Sequence, residues 1–515
     1  MPSMTLARLV AALCWFMIFT VNSPPVTFAG EPAVRPGPEK LAQILSSFER
    51  YAESSMKQWE VPGMAISIVE EGKIIYKKGF GVKTAGGSEP VTENTVFQIG
   101  STSKAFTGAL MAILVDDKKA GWNDRVIDHL PWFRLYDPWV TREFTVADLL
   151  AHRSGLPGYA GDAQAALGFT RSQIEKSVQF IKPVSSFRSE YAYQNSLYLI
   201  AAEIPGKYWG MSFEEAVQQK IFKPLAMTSS SATAKDFSEA ADVTSLHNRV
   251  KDKITPCAID KIAFNCYTLG PAGGINSNVI DMSKWLMLHL NEGTHAGKQV
   301  ISKQSMAHLL TPKTFMGGGP ESDFLFYCQG WIFKNSSPYP LYWHNGDTTY
   351  CHSMVAFVPK ARLGIVVLTN LGGMNQLPEI LAETFYEMYF GKPFRDLSTQ
   401  AREACDKARP QPPKAPENPG SPLDLISYAG KYRNDIYGVL SIEEKDGQLS
   451  SFLAQKPENH IALKHWDRDT FRATDNETDA GFFLTFQFDS GGKAKNVTIS
   501  ELNRDGCGVF EKIEN

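Results

Sequence analysis

The sequence predicts a mixed α/β fold of the α+β type: an antiparallel sheet flanked by helices, an inserted α-helical lobe, and a small β-barrel at the carboxyl end. Three observations predict it. Strand patterns occur on both sides of an α-rich middle, over residues 64–76 and 324–368. Helical patterns occupy much of residues 144–310. Short alternating segments with close turns follow a proline-rich stretch, over residues 423–515.

Length and composition indicate a globular protein with more than one domain. The chain has 515 residues, enough for about two or three domains. Its residues are 43% hydrophobic and 21% charged, which allows a large buried core. The formal net charge of -3 gives no electrostatic reason to expect binding to nucleic acid or to an acidic membrane. No apolar run is long enough to cross a bilayer.

The first 29 residues have the pattern of a secretory signal peptide. Arg8 supplies a sparse positive region, residues 9–21 an apolar core, and residues 27–29 a small-x-small cleavage site. A membrane anchor is the competing interpretation, but the apolar run is short for one. We therefore expect a secreted, extracellular protein, periplasmic if the source is bacterial, with no membrane contact after cleavage.

Cysteines and sequons agree with an oxidising compartment. Cleavage after residue 29 removes Cys14 and leaves six cysteines, an even number. Sequence order favours the pairs Cys257–Cys266, Cys328–Cys351 and Cys405–Cys507, and six buried free thiols are the alternative. Asn335, Asn476 and Asn496 begin glycosylation sequons, which are meaningful if the source is eukaryotic.

The elements before the first motif form a simple series. Residues 40–59 have the pattern of an amphipathic helix. Residues 64–69 and 74–76 predict a β-hairpin around the turn at residues 70–73, of the kind that begins an antiparallel sheet. A helix with a long apolar stripe then begins near Ser101.

The rest of the chain divides into a helical lobe, a second group of strands that returns to the sheet, a linker and a barrel. Helices are predicted at residues 170–180, 196–204, 212–221, 281–291, 303–310 and 376–390, and strands at residues 324–333, 341–344, 353–358 and 363–368. Residues 396–422 are rich in proline and predict a semi-rigid linker. The predicted domains are an α+β domain over residues 30–395 and a barrel over residues 423–515.

Ser101 and Lys104 form the first candidate motif. Spacing of three residues puts hydroxyl and amine on one face of the helix start, where the helix dipole favours developing negative charge. A serine hydroxyl becomes a strong nucleophile only when a base takes its proton. Lys104 can be that base if burial or a neighbour lowers its pKa.

Two further motifs supply partners for Ser101. Tyr193 could act as general base and acid, and the Asn195 amide could hydrogen-bond Lys104 and a substrate carbonyl. His344 ends a predicted strand, and Gly346 allows a substrate to approach the strand edge. The amide of Asp347 could complete an oxyanion hole with the amide of Ser101.

Taken in order and in context, the three motifs resemble those of the serine β-lactamase-related family. That family includes class C β-lactamases, D-alanyl-D-alanine carboxypeptidases, D-aminopeptidases and family VIII-type esterases. Similar segments occur at residues 149–157, 271–275 and 359–370, so the resemblance spans about residues 40–390. It implies a β-lactamase/transpeptidase-like sheet, and the tail resembles the lipocalin-like module of many secreted members.

The resemblance also implies a role for each motif residue. Ser101 is then the acylated nucleophile, Lys104 its base partner, and Tyr193 the general base and acid. Asn195 contacts substrate and Lys104. His344 stands where class C β-lactamases have a lysine, and a neutral histidine pairs poorly with a carboxylate. This disfavours penicillin turnover and favours ester or amide substrates, D-amino-acid peptides among them.

One departure from the family pattern lies after Gly346. Small residues are usual there, whereas this chain has Asp347 and then Thr-Thr-Tyr-Cys-His. A carboxylate beside the oxyanion would cost about 4 kcal/mol at roughly 4 Å and an effective dielectric of 20. The side chain points elsewhere if it follows the alternation of a strand.

The leading hypothesis is a secreted serine hydrolase that acts on a small-molecule or peptide substrate through an acyl-enzyme on Ser101. The competing hypothesis is a catalytically weak or inactive extracellular protein, with matrix components as partners, for example in a shell. No metal or cofactor is implied, since no H-E-x-x-H pair occurs. The orientation of the Asp347 carboxylate discriminates between the two hypotheses.

Overall fold

A computed structural model describes residues 35–250, 253–257, 264–319, 322–336, 340–373, 375–408, 413–474, 481–503 and 506–513. The predicted signal peptide and the Asn476 sequon lie outside these ranges. The described part contains helices on both faces of a large sheet, several short hairpins and a separate barrel.

The strands, in chain order, are β1 Gly63–Glu70, β2 Lys73–Gly81, β3 Phe97–Gln98, β4 Leu246–Val250, β5 Lys253–Cys257, β6 Asn276–Ser277, β7 Thr294–His295, β8 Lys298–Gln299, β9 Thr314–Gly319, β10 Ser322–Tyr327, β11 Ile332–Asn335, β12 Leu341–Asp347, β13 His352–Val358, β14 Leu363–Thr369, β15 Gly430–Asn434, β16 Gly438–Lys445, β17 Gln448–Leu453, β18 Ile461–Asp467, β19 Thr470–Thr474, β20 Gly481–Phe488, β21 Ala494–Ile499 and β22 Val509–Lys512.

The α-helices are α1 Pro38–Gln58, α2 Ser103–Asp116, α3 Val126–His129, α4 Pro138–Glu143, α5 Val146–Leu149, α6 Asp162–Ala166, α7 Arg171–Ser177, α8 Ser196–Trp209, α9 Phe213–Val217, α10 Ala234–Ser238, α11 Phe264–Thr268, α12 Gly270–Gly273, α13 Val279–Leu290, α14 Lys303–Leu309, α15 Leu377–Tyr389 and α16 Leu397–Ala408. Short 3-10 segments include Gly100–Thr102, directly before α2.

The large sheet joins the two ends of the α+β domain predicted over residues 30–395. Its eight strands follow the order β2-β1-β14-β13-β12-β11-β10-β9, and neighbouring strands are antiparallel. The first hairpin therefore pairs with a strand about 300 residues later, in the register Met64↔Thr369. The α-rich middle is inserted between β2 and β9. This arrangement confirms the predicted α+β fold class.

Helices cover both faces of this sheet, so β1 is buried along its whole length. Successive residues of β1 serve different cores, as the alternation of a strand requires. Ile66 packs in a core with Phe48 of α1, whereas Ala65 packs in a core with Phe106 of α2. Phe106 also stacks on Trp285 of α13, the helix that packs on β1 and β14, so the helix that carries the first motif is fixed to the sheet through α13.

The prediction of a linker over residues 396–422 is wrong in its first half. Leu397–Ala408 is a helix, and Leu397 and Ala401 are buried against the core that contains α1. The Trp59 indole donates a hydrogen bond to Ser398 Oγ at 3.1 Å. Apolar residues spaced four apart make this segment amphipathic, and tertiary packing orders it.

The carboxyl-terminal strands β15 to β22 form a closed barrel of eight strands. Tyr428 packs edge-on against Phe471 and Phe486 inside it. The barrel contacts the helical lobe, because Gln164 Nε2 of α6 donates to Ile436 O at 2.9 Å. The small barrel predicted from the alternating tail is therefore present, and it is attached to the lobe.

The three predicted disulfides are absent. Cys266, Cys328, Cys351 and Cys405 are free thiols, and each predicted pair includes at least one of them. Cys328 Sγ donates instead to Leu310 O at 3.3 Å, and Cys351 is fully buried. Burial raises the pKa of the Cys266 thiol to about 12. Order in the sequence does not show whether two cysteines lie close enough in the fold for their sulfur atoms to bond.

The two described sequon asparagines differ in exposure. Asn335 is exposed at the end of β11, so glycosylation there stays a prediction. Asn496 is 6% exposed and its Nδ2 donates to Gln487 Oε1 at 3.2 Å. A glycan needs an accessible amide, so the structure contradicts the predicted modification of Asn496.

Helix length and side-chain clustering in the described residues bear on membrane contact and metal binding. None of the helices in these ranges has both the length and the apolar character needed to cross a membrane. In the same ranges, no group of three or more His, Cys, Asp and Glu side chains is placed to hold a metal ion.

Candidate active site

The backbone around Ser101 turns sharply from strand to helix. Gly100 has a φ of +52°, and an added Cβ would lie 2.8 Å from Asp347 N, so glycine is required at this contact. The turn leads through a 3-10 segment into α2. It holds Ser101, which is partly exposed, at the edge of strand β12.

Lys104 lies one turn further and its side chain is completely buried. Its Nζ donates to Asn195 Oδ1 at 2.5 Å and to Ala272 O at 2.9 Å, and lies 3.3 Å from Ser101 Oγ. Burial lowers the pKa of Lys104 to about 7, although Asp162 nearby acts to raise it. A lysine in this state accepts a proton at neutral pH.

Residues 271–275, quoted above as a family-like segment, anchor the start of α2. Thr107 Oγ1 donates to Pro271 O at 2.5 Å. The amide of Ile275 donates to Ser103 Oγ at 3.1 Å. Together with the Lys104–Ala272 bond, these contacts fix the rotation of α2 and hence the direction of the Lys104 amine.

Tyr193 reaches the same point from the segment that precedes α8. Its hydroxyl interacts with the Ser101 side chain, and Lys104 Nζ lies 4.5 Å from the centre of its ring. Burial raises the pKa of Tyr193 well above 10. The phenol is therefore protonated at neutral pH, which suits a proton donor better than a base.

Asn195 connects Lys104 to a carboxyl that the sequence motifs did not reveal. Asn195 Nδ2 donates to Asp162 Oδ2 at 2.5 Å, while its Oδ1 accepts from Lys104. Asp162 is 3% exposed and begins α6. Burial raises the pKa of Asp162 against the opposing effects of Asn195 and Lys104.

Gly346 brings strand β12 against the nucleophile. A Cβ at this position would overlap Ile99 O and lie 2.8 Å from both Ser101 N and Ser353 Oγ. The Ser101 amide therefore lies close to Gly346, and the Asp347 amide lies close to Gly100, where an added Cβ would be 2.8 Å from its nitrogen. Two neighbouring amides are the usual components of an oxyanion hole.

The Asp347 carboxylate is held by its own turn and by a histidine on the facing strand. Its Oδ1 accepts from Thr349 N at 2.5 Å, and its Oδ2 lies 3.3 Å from His352 Nδ1. His352 Nε2 also lies 2.7 Å from Glu379 Oε1. Burial lowers the pKa of His352, but Glu379 and Asp347 outweigh it and raise that pKa to about 10. His352 is thus a cation that balances both carboxylates.

His344 lies on the floor of the site as a neutral side chain. Its Nδ1 lies 2.6 Å from Asn345 O and its Nε2 lies 3.2 Å from the Tyr327 hydroxyl. Burial, aided by the charge of Lys104, lowers the pKa of His344 to about 3. A substrate carboxylate would find no cation at this position.

An aromatic wall continues from Tyr193 to the edge strands of the sheet. Tyr193 and Tyr327 form a small cluster with Ile332, and the partly buried side chains packed on it are Tyr159, Tyr191, Met316 and Trp343. His152 lies inside this wall, with ring centroids 4.4 Å from Tyr193 and 4.2 Å from Tyr327. The surface beside Ser101 is therefore predominantly aromatic.

The structure brings together all seven residues that the sequence motifs proposed for the site: Ser101, Lys104, Tyr193, Asn195, His344, Gly346 and Asp347. Sequence reasoning missed Asp162, His352 and the aromatic wall. His352 had a signal, because a hairpin that joins the two predicted returning strands brings the residues between them close to Asp347, and the structure pairs His352 with Asp347. Asp162 had none beyond its position soon after the Gly-Leu-Pro segment.

Comparisons with known proteins agree with this geometry. A family model described as Beta-lactamase matches residues 48–383, and a model described as a domain of unknown function, DUF3471, matches residues 413–508. The unguisins hydrolase ungD of Aspergillus violaceofuscus is 27% identical over an alignment of 488 residues that covers 83% of this chain and 82% of that protein. The protein flp of Staphylococcus aureus strain COL is 24% identical over 357 residues, 69% of this chain and 68% of that protein.

A solved structure supports the fold. The octameric penicillin-binding protein homologue from Pyrococcus abyssi aligns with a TM-score of 0.61 at 21% sequence identity, over 88% of this chain and 98% of that one. The family model covers most of the chain, with the Ser101 site and the large sheet inside its limits. The chain therefore belongs to the β-lactamase family and has its serine hydrolase fold.

Proposed function

We propose that the protein is a serine hydrolase that cleaves ester or amide substrates through an acyl-enzyme on Ser101. One observation carries the proposal. The Lys104 amine is fully buried, has a pKa lowered to about 7, and lies 3.3 Å from Ser101 Oγ. Burying a lysine in this way is costly, and such costs concentrate at functional sites.

The proposed first half-reaction forms the ester. Lys104 Nζ takes the proton of Ser101 Oγ while Oγ attacks the substrate carbonyl carbon. The amides of Ser101 and Asp347 stabilise the negative charge that develops on the carbonyl oxygen. When the bond to the leaving group breaks, the proton held by Lys104 returns by way of the Tyr193 hydroxyl to the departing alcohol or amine. Water then repeats the sequence on the acyl-Ser101 ester and releases the acid.

The roles of base and acid differ from the first expectation. Tyr193 was the sequence-based candidate for general base, but burial raises its pKa well above 10. A phenol of this kind is a poor proton acceptor near pH 7. Lys104 has the better-matched pKa, so we assign the base to Lys104 and the proton donor to Tyr193.

The substrate class follows from the surroundings of Ser101. His344 is neutral, so the position that holds a lysine in class C β-lactamases offers no charge for a substrate carboxylate. The aromatic wall favours an apolar or aromatic acyl group. The similarity to a protein named as a hydrolase supports hydrolysis, and a peptide substrate, including one with D-amino acids, stays within the proposal.

The competing role, an inactive extracellular matrix protein, was motivated mainly by Asp347. The contacts of its carboxylate with Thr349 and His352 favour the enzyme instead. Secretion through the signal-like leader remains part of the proposal, and association with extracellular matrix components remains the alternative.

Hydrolysis of a p-nitrophenyl ester with a short aromatic acyl group tests the proposal. The rate should rise with pH and level off above about pH 7, because Lys104 must lose its proton before it can accept one from Ser101. Tyr193 should add no alkaline limb below pH 10, since its pKa is raised. Stopped assays from pH 5 to 9.5 at constant ionic strength measure the profile.

Ser101→Ala is the control for this assay, and we expect it to reduce kcat/KM by about 1,000-fold or more. Its melting temperature should stay close to that of the native protein, since a small, partly exposed hydroxyl is lost. Equal activity in the two proteins would refute the proposed nucleophile.

A further inference from the structure

Asp162 is an acid at the rear of the site for which the proposed mechanism has no role yet. It is 3% exposed and lies in the first turn of α6. Its Oδ2 accepts a hydrogen bond from Asn195, whereas its Oδ1 is buried and has no hydrogen-bond partner among the described residues. Leaving a carboxyl oxygen unpaired in the interior is unfavourable, so a structural role alone does not account for it.

The carboxyl, the amide and the amine form one chain of contacts. Asp162 Oδ2 is 2.5 Å from Asn195 Nδ2, and Asn195 Oδ1 is 2.5 Å from Lys104 Nζ. An asparagine amide has one acceptor and one donor end. A carboxylate that engages the donor end forces the acceptor end toward Lys104, which directs the amine to Ser101 Oγ.

We infer that Asp162 is a positioning residue for Lys104. It fixes the orientation of Asn195, and its negative charge balances the positive charge that Lys104 gains when it takes the proton of Ser101. The inference rests on the proposed function and assigns that reaction a further residue. During acylation Lys104 passes from amine to ammonium, and the chain Asp162–Asn195–Lys104 passes from net negative to neutral. No atom is transferred to Asp162.

The barrel holds Asp162 in place. Gln164, two residues further along α6, donates to Ile436 O of the β15–β16 turn at 2.9 Å and accepts from Ser177 Oγ at 2.6 Å. Lys456 of the barrel donates to Ala166 O at the end of the same helix. The short helix that carries the acid is thus bound at two points to the carboxyl-terminal domain.

The histidines and tyrosines near the pair do not titrate between pH 6.5 and 9.5. The charged or titratable groups facing Lys104 and Asp162 from neighbouring elements are His152, Tyr159, Tyr193, Tyr198, His344 and, behind α6, Lys456. Burial lowers the pKa of both histidines below 6.5 and raises the pKa of all three tyrosines above 10. A shift of the acidic limb in the pH profile of kcat therefore reports a changed pKa in the Lys104–Asp162 pair.

The test is the pH profile of Asp162→Asn, which keeps the shape and a hydrogen-bond acceptor but removes the charge. Loss of the negative charge lowers the pKa of Lys104 further, so the acidic limb of kcat should move down by about one pH unit. The plateau of kcat should fall about 10-fold, since the ammonium loses its counter-charge, while KM changes less than about 3-fold. Asp162→Ala, which also frees Asn195, should lower kcat further.

Glu175→Gln is the matched control. Glu175 is a buried carboxyl in the adjacent helix α7, and burial raises its pKa to about 8, but it lies outside the Lys104 network. This variant should keep the acidic limb and the plateau of the native pH profile of kcat. If Asp162→Asn does not fold by circular dichroism, Asp162→Ser, smaller and uncharged, is measured with the same expectations.

The outcomes separate this inference from the proposed function. An unchanged limb and plateau in a folded Asp162 variant, with native hydrolysis dependent on Ser101, would overturn the inference and leave the proposed function intact. A native protein without Ser101-dependent hydrolysis would overturn the proposed function itself.

Discussion

Replacing Lys104 with methionine is expected to lower kcat/KM for an ester substrate by about 1,000-fold, with KM changed by less than about 3-fold. Methionine fills a similar volume but cannot take the proton of Ser101 Oγ, which lies 3.3 Å from the native amine. Initial rates at the pH plateau and a pre-steady-state burst assay measure the loss.

Lys207→Met is a suitable control for this prediction. Lys207 also donates to a buried backbone carbonyl, His129 O at 2.6 Å, but it lies on the far part of α8. We expect it to retain native activity. Lys104→Arg should be as inactive as the methionine variant, because an arginine stays protonated. Substantial activity in either Lys104 variant would show that another group is the base.

Replacing His352 with glutamine is expected to reduce kcat by about 10- to 100-fold. The cation between Asp347 and Glu379 is then lost, while the Asp347 carboxylate remains next to the amide proposed to hold the oxyanion. Two like charges about 5 Å apart at an effective dielectric of 20 repel by about 3 kcal/mol, which sets the upper end of this range. Single-turnover acylation rates measure the effect directly.

A second substitution decides whether charge is the cause. Asp347→Asn in the His352→Gln background should recover most of the lost rate, because the uncompensated carboxylate is gone. Asp347→Asn alone should be at least as active as the native protein. If the double variant stays as slow as His352→Gln, the histidine acts through packing and the charge argument fails.

The parts of the site that sequence reasoning predicted are those encoded by local patterns. Ser101 lies just before a helix that contains Lys104 and whose apolar residues predict it, and Gly346 lies near the end of a strand with a clear pattern. Their meeting point follows from the family's order of motifs. The sheet was likewise predictable, since strands on both sides of a helical middle have few other ways to bury their apolar faces.

Asp162 and His352 were missed because their roles arise from tertiary contacts. Asp162 contacts Asn195 at a sequence separation of 33 residues, and its own segment has no motif. The significance of Asp347 was predicted from its position alone, as a charge that opposes catalysis. Its actual surroundings depend on β13, which carries His352 to the facing strand position.

The errors have similar origins. Cys405 was paired with Cys507 by sequence order, but it lies on helix α16, which the proline-rich composition of this segment did not indicate. Asn496 matches a sequon, yet its strand turns the amide into the barrel wall toward Gln487. Burial and direction of a side chain depend on the whole fold, and short motifs contain neither.

Active-site labelling tests the central claim most directly. The native protein is incubated with a fluorophosphonate, and the intact mass and the modified peptide are read by mass spectrometry. The proposed mechanism predicts one adduct per chain, on Ser101, formed faster as the pH rises through about 7 and absent from Ser101→Ala. Failure to label the native protein, or equal labelling of Ser101→Ala, would contradict the assignment of Ser101 as the nucleophile.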